Sequence, residues 1–373
     1  MKTPPLRSSG FTLVEMLVGL AVSLILVTMT MTVFSHVSST ITNAGRSIDA
    51  FQSAEAGFDI MTQKLSDATL NTYYDYDSYT LPKRFLRRSD LHFLVAQNLN
   101  LVQSSGTFCG ANANSGQSVF FQAPAGYSNS TGPGGYASTQ GLLNACSFFV
   151  EFGSNCQPSV FSASAPVRYR YRLMQAIQPT EYNGIYGDRE GTTPEGPTFA
   201  IPINTLPAGW WGASLIAPPS ATDAKPAALP IAENVIALII QPQSPALGGT
   251  NAALVSPDYQ YNSRQGFPLG ANPPLVQVLQ SEQLPQILQL TMVAIDEASA
   301  IRLGSGSTSA PAVIESALSA NGNSGKLFTN VNYYDSDLLN LETALGAAHI
   351  NYQVLSTSVT LRESKWSNAA NGL

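Results

Sequence analysis

From residue 11 to residue 34 the chain is apolar at almost every position: FTLVEMLVGLAVSLILVTMTMTVF. A run of this length reads as a helix able to cross a bilayer. At 1.5 Å per residue it would extend about 36 Å. Residues 16–45 contain no Asp, Glu, Lys or Arg, and Lys2 and Arg7 are the charges ahead of the run. That asymmetry keeps the N-terminal flank in the cytoplasm and exports the bulk of the chain. Further on, apolar positions recur with a helical period: Phe51, Ala54, Phe58, Met61, Leu65 and Ala68 form a narrow seam. Arg46, Asp49, Gln52, Glu55, Asp59, Lys64 and Asp67 occupy the opposite face. One continuous helix is expected over about 12–69, its lower half in the membrane and its upper half against a head domain. Gly19, Gly45 and Gly57 are weak points where it could bend.

Beyond residue 72 the pattern reads mostly as strands, at 91–96, 119–123, 146–152, 167–174, 234–241, 286–295 and 350–362. VRYRYRLM alternates strictly. It gives a basic face of Arg168, Arg170 and Arg172 and an aromatic face of Tyr169 and Tyr171. The basic face reads first as solvated, on an edge strand, with an acidic partner or anionic glycan as the functional alternative. NVIALIIQ does not alternate and is expected as a central buried strand ended by Pro242. Two later helices are expected, at 338–348 with Asp337 as its cap and at 296–303 ending near Gly304. YYDYDSY, residues 73–79, reads as a solvated loop. Gly-, Pro- and Ser-rich stretches at 124–141, 179–230, 242–274 and 304–311 read as long loops. The fold class is α+β, a long membrane-spanning helix packed on a large β-rich head at 71–373. The helix divides into a transmembrane part at 11–36 and an amphipathic continuation at 37–70.

Composition supports an extracytoplasmic head. Of 373 residues 11% are charged, well below the roughly 25% of ordinary globular chains. The formal charge is −6, and no Lys/Arg cluster of the kind nucleic acid requires is present. Three cysteines, Cys109, Cys146 and Cys156, are too few for a disulfide scaffold. Cys146 and Cys156 bracket CSFFVEFGSNC, either as a small loop staple or as unpaired, partly buried thiols. His36, His92 and His349 have no metal-ligand spacing, and no nucleophile elbow or phosphate loop appears. Asp335 and Asp337 read as helix caps. No enzyme and no cofactor is expected, with a tethered hydrolase kept only because catalytic carboxylates need no local motif.

Glu15 is the anomaly. A carboxylate in hydrocarbon costs about 2.5 kcal/mol or more. A cleaved secretory signal would have a shorter apolar region, and a plain signal anchor leaves Glu15 unexplained. The stretch Gly10-Phe11-Thr12-Leu13-Val14-Glu15 resembles the cleavage and methylation motif of type IV prepilins. The resemblance implies a leader at 1–10, a cut between Gly10 and Phe11, and methylation of the new Phe11 amine. It also implies that Glu15 meets the terminal amine of a neighbouring subunit, so that two desolvation penalties vanish together on assembly. Some tip-type minor pseudopilins lack that carboxylate; this chain has it.

Further segments resemble the Verru_Chthon cassette protein C family: FLRRSDLHF (85–93), FFQAPAGYS (120–128), LLNACSFFVEFGS (142–154), YRLMQAIQPTE (171–181), AENVIALIIQP (232–242), LPQILQLTMVAIDEASA (284–300) and INYQVLSTSVTLRESKWS (350–367). In helix-then-strand order the chain is also similar to J-type pseudopilins of type II secretion and W-type minor pilins, although its long loops exceed theirs. These resemblances imply a pilin-like head and a minor subunit of a type IV pilus or type II secretion-like filament. The implied partners are a prepilin peptidase/methyltransferase, other prepilin-like subunits and the bacterial inner membrane, with the head in the periplasm. The alternative function is a surface binding or adhesive module on a membrane anchor.

Overall fold

A computed structural model describes residues 12–76, 81–82, 85–97, 116–128, 141–154, 168–183, 185, 210, 228–244, 255–264, 280–304, 308–319 and 326–366. Within these, the side chains of 43–50, 86, 154 and 182 are not described. The structure is the expected α+β arrangement, an apolar N-terminal helix and a large β-rich region. Helix α1 runs Leu13–Ser66 as one element of 54 residues. The chain divides into two compact units within it, Met1–Asp49 and Ala50–Leu373.

In the second unit the predicted seam is the buried face. Ala54, Phe58, Met61, Leu65 and Ala68 are buried, while Gln52, Glu55 and Asp59 are exposed. Burying such a stripe removes about 25 cal/mol per Å² of apolar surface from water, which holds this part of the helix to the head. Gly57 permits close approach: a Cβ there would fall 2.8 Å from Ala232 Cβ.

The head is built on two antiparallel sheets and a hairpin. The hairpin pairs β1 (Tyr73–Tyr76) with β2 (Phe85–Arg88), so the first part of YYDYDSY is strand rather than loop. Tyr76 stacks on Phe85 across it, a cross-strand aromatic pair that offsets the low strand propensity of Asp75. The larger sheet contains β3 (Leu94–Gln97), β4 (Gln117–Pro124), β5 (Leu143–Ser154), β6 (Tyr169–Ile177), β7 (Ala228–Glu233) and β9 (Tyr261–Asn262), in the order β7-β6-β5-β4-β3-β9. The smaller contains β8 (Val235–Gln243), β10 (Ile287–Ile295) and β11 (Tyr352–Thr360), in the order β11-β10-β8. Phe121, Phe148, Val150 and Leu173 of the large sheet and Leu238, Ile239 and Leu290 of the small one belong to a single apolar core.

β8 is buried as its apolar run predicts, but it lies at an edge of its sheet rather than at the centre. A side chain satisfies its open edge. The Ile240 amide donates to Gln117 Oε1 at 2.9 Å. Gly116, with φ +76, lets the two strands meet, since a Cβ there would lie 2.1 Å from Leu238 O. Pro242 does not end β8. It stands opposite Leu288, and its missing N–H lies on the same outer side as that of Ile240, where no ladder bond is lost.

Three shorter α-helices and two 3-10 turns, Thr180–Tyr182 and Val331–Tyr333, also lie in the described head. Helix α2, Glu297–Arg302, is capped by Asp296, whose carboxylate accepts from the Ser299 amide at 2.9 Å. α3 is Ala312–Ser319, not anticipated from the sequence because Gly, Ser and Pro precede it. Helix α4, Tyr334–Ala347, starts before the expected position. Asp337 therefore lies inside it, and its carboxylate accepts from the Phe328 amide at 2.8 Å instead of capping the helix.

Candidate functional site

The candidate site is the start of α1, where Glu15 interrupts the apolar run. Leu13–Thr42 is long and apolar enough to cross a membrane, and none of its side chains is buried within the protein. Several of its hydroxyls find partners in their own helix. Thr28 donates to Leu24 O at 3.0 Å, Thr30 to Leu26 O at 2.9 Å and Thr32 to Thr28 O at 3.0 Å. In hydrocarbon that internal satisfaction removes the penalty of an unpaired polar group.

Glu15 has a local partner that its position in the apolar run conceals. The Thr12 amide and hydroxyl each donate to Glu15 Oε2 at 2.9 Å, and the Glu15 amide donates to Thr12 Oγ1 at 3.3 Å. This is a capping box: the residue before the helix and the third residue inside it satisfy each other's free amides. The signal was present as T-x-x-E at 12–15. One carboxylate oxygen, Oε2, accepts both bonds. Gly10 and Phe11 lie outside the described residues.

The head's polar groups are mostly structural. β6 is interior to its sheet, so two of the three arginines expected to be solvated are buried, Arg170 and Arg172 at 5% and 3% exposure, while Arg168, just before the strand, is exposed. Arg170 Nη2 contacts Glu297 Oε1 at 3.1 Å, and Asn234 Nδ2 donates to Glu297 Oε2 at 2.8 Å. Arg172 stands opposite Glu151 on one neighbouring strand and Glu233 on the other. Burial lowers the Arg172 pKa from its ordinary value, and the two carboxylates oppose that shift. His92 is also internal. Trp210 Nε1 donates to His92 Nδ1 at 3.1 Å, which leaves Nε2 to donate to Asn262 Oδ1 at 2.8 Å.

Cys146 is a free thiol, buried in β5, and burial pushes its pKa up to about 12. Cys156, its expected staple partner, and Cys109 lie outside the described residues. Among the described residues no group of three or more His, Cys, Asp or Glu is placed to hold a metal ion.

Comparison with known proteins bears on the same N-terminal region. The family model of the prokaryotic N-terminal methylation motif matches residues 6–31. The match takes in the Gly10–Phe11 junction, Glu15 and most of the apolar run. The motif supports a prepilin-like protein that is processed and methylated at its N-terminal segment. The motif and the apolar helix together fit anchoring in the inner membrane. No curated protein and no solved structure matches the chain.

Proposed function

We propose that the protein is a minor pilin- or pseudopilin-like subunit, cleaved after Gly10, methylated on Phe11 and assembled into a type IV pilus or type II secretion-like filament. The observation that carries this reading is the methylation motif over 6–31 with Glu15 inside the apolar, wholly exposed span Leu13–Thr42. An exposed apolar surface on this scale requires a membrane or other helices. Glu15 remains costly in either unless a positive charge meets it. Cleavage would create that charge, an ammonium on Phe11, and the capping box leaves Glu15 Oε1 with no local bond among the described residues. In a filament the oxygen would meet the amine of an adjacent subunit, so assembly removes two desolvation penalties together.

The large head supports a low-copy role. Its segments resemble the Verru_Chthon cassette protein C family, and we place the chain with the prepilin-like partners of such a cassette. The peptidase/methyltransferase acts first, in the inner membrane, with the head in the periplasm. Intact-mass and N-terminal peptide spectrometry on protein from the native membrane tests the proposal. A chain beginning at N-methyl-Phe11 is the expected result; one still beginning at Met1 would make the helix a plain anchor.

A further inference from the structure

The small sheet presents an open edge whose geometry is self-complementary. The direction of each peptide group on β11 can be read from contacts at the other side of the sheet. Ile240 sends its N–H away from β10, to Gln117. It stands opposite Leu290, so Leu290 turns its own N–H and C=O toward β11, where it stands opposite Thr357. Thr357 therefore faces inward. Asn351 O, bonded to the Asp296 amide, and the Leu361 amide, bonded to Gln286 O, share that inward parity. Tyr352, Val354, Ser356, Ser358 and Thr360 consequently turn their N–H and C=O groups outward. Nothing among the described residues pairs with them.

The other edges of the two larger sheets are short or blocked. β8 is sealed by Gln117 and carries Pro242. β7 carries Pro230 and a bulge, and β9 is two residues long. Natural proteins use such devices to prevent strands from adding. β11, YQVLSTSVT, has no proline and no charged residue over its nine positions. Ser356, Ser358 and Thr360 are exposed.

We infer that β11 is the docking edge for a second copy of this chain, pairing antiparallel with its own counterpart about Ser356. In that register Tyr352 stands opposite Thr360 of the other copy, Val354 opposite Ser358, and Ser356 opposite itself. Every outward amide and carbonyl of the strand finds a partner. Leu355 meets Thr357 and Gln353 meets Val359 on the remaining pairs. No like charges oppose one another, which is the usual obstacle to a strand pairing with itself. Such a contact is isologous and closes after two copies. The two small sheets become one of six strands.

The test uses the full-length protein in detergent, with mass measured by light scattering. The native chain is expected to be a dimer. Ser356→Pro removes an outward N–H together with the hydroxyl that meets Gln289 Nε2 and Thr291 Oγ1, and Ser356→Lys sets like charges in opposition; each is expected to halve the mass while far-UV circular dichroism stays unchanged. In a chain with Cys109→Ser, Cys146→Ala and Cys156→Ser, Ser356→Cys is expected to form an intermolecular disulfide in membranes. Opposed residues of this kind lie about 5.5 Å apart, within disulfide reach. Leu339→Cys, exposed on α4, is the control expected to stay monomeric. A monomeric native chain, a dimer unaffected by both Ser356 variants, or equal cross-linking at positions 356 and 339 overturns the inference. Processing at Gly10 is read by mass on the same samples, so failure of the prepilin assignment is seen separately.

Discussion

Glu15 carries two chemistries that ordinary truncation would confuse. It caps the helix with Thr12, and it places a charge where hydrocarbon or other helices surround it. Glu15→Gln separates them, because glutamine keeps the capping acceptor and loses the charge. We expect Glu15→Gln to be processed normally yet to fail in filament assembly, as read by co-purification with partner subunits. Assembly at native levels would show that the cap alone matters. An adhesive module on a simple anchor would keep working in Glu15→Gln. At the neighbouring junction, Gly10→Val is expected to leave the leader attached, because a side chain before the cut obstructs the peptidase. Mass spectrometry showing full processing of that variant would remove the prepilin reading.

Where elements meet, steric limits and buried charge decide. Gly57→Ala gains about 1 kcal/mol of helix propensity. It also sets a methyl 2.8 Å from Ala232 Cβ, and overpacking of this kind costs about 1–3 kcal/mol. The clash should win, lowering the urea midpoint; a raised midpoint would show that β7 yields freely. On β6, Arg170→Ala leaves Glu297 with Asn234 as its described partner. A loss of about 3 kcal/mol is expected, and Arg170→Met combined with Glu297→Leu should recover only part of it, since the apolar pair needs no compensation but leaves buried Asn234 Nδ2 without its acceptor. Equal loss in the single and double variants would mean that the ion pair is not the cause. The basic stripe was misread because alternation shows which residues share a face, not whether a neighbouring strand and helix cover that face.

For the molecule as a whole, the head encloses acids in their neutral form. Burial raises the Cys146 pKa from 9.0 to about 12 and also raises those of Tyr259 and Tyr261. The folded state therefore holds these protons to higher pH than the unfolded chain does. Their contribution is complete below the unfolded values and declines as pH rises beyond about 9. Urea unfolding at pH 8 and pH 10.5 should show the lower stability at pH 10.5. Peptide-resolved alkylation at pH 8 should leave Cys146 unmodified until the head unfolds, and rapid labelling of the native protein would contradict its burial.

The sequence by itself determined the long helix, the buried face of its upper half, most strands and the N-terminal motif. Each is a local pattern whose period or spacing is complete within one segment: the seam from Phe51 to Ala68, the run NVIALIIQ, the Gly10–Glu15 stretch. Asp296 was legible for the same reason, as a cap beside its own helix. Tertiary structure decided what depends on residues distant in the chain. It made β8 an edge sealed by Gln117, turned Arg170 inward to Glu297, moved Asp337 from cap to loop anchor, and left β11 open. Strand order fixes these outcomes. Order arises from the packing of sheets into a common core, which no single segment's pattern encodes.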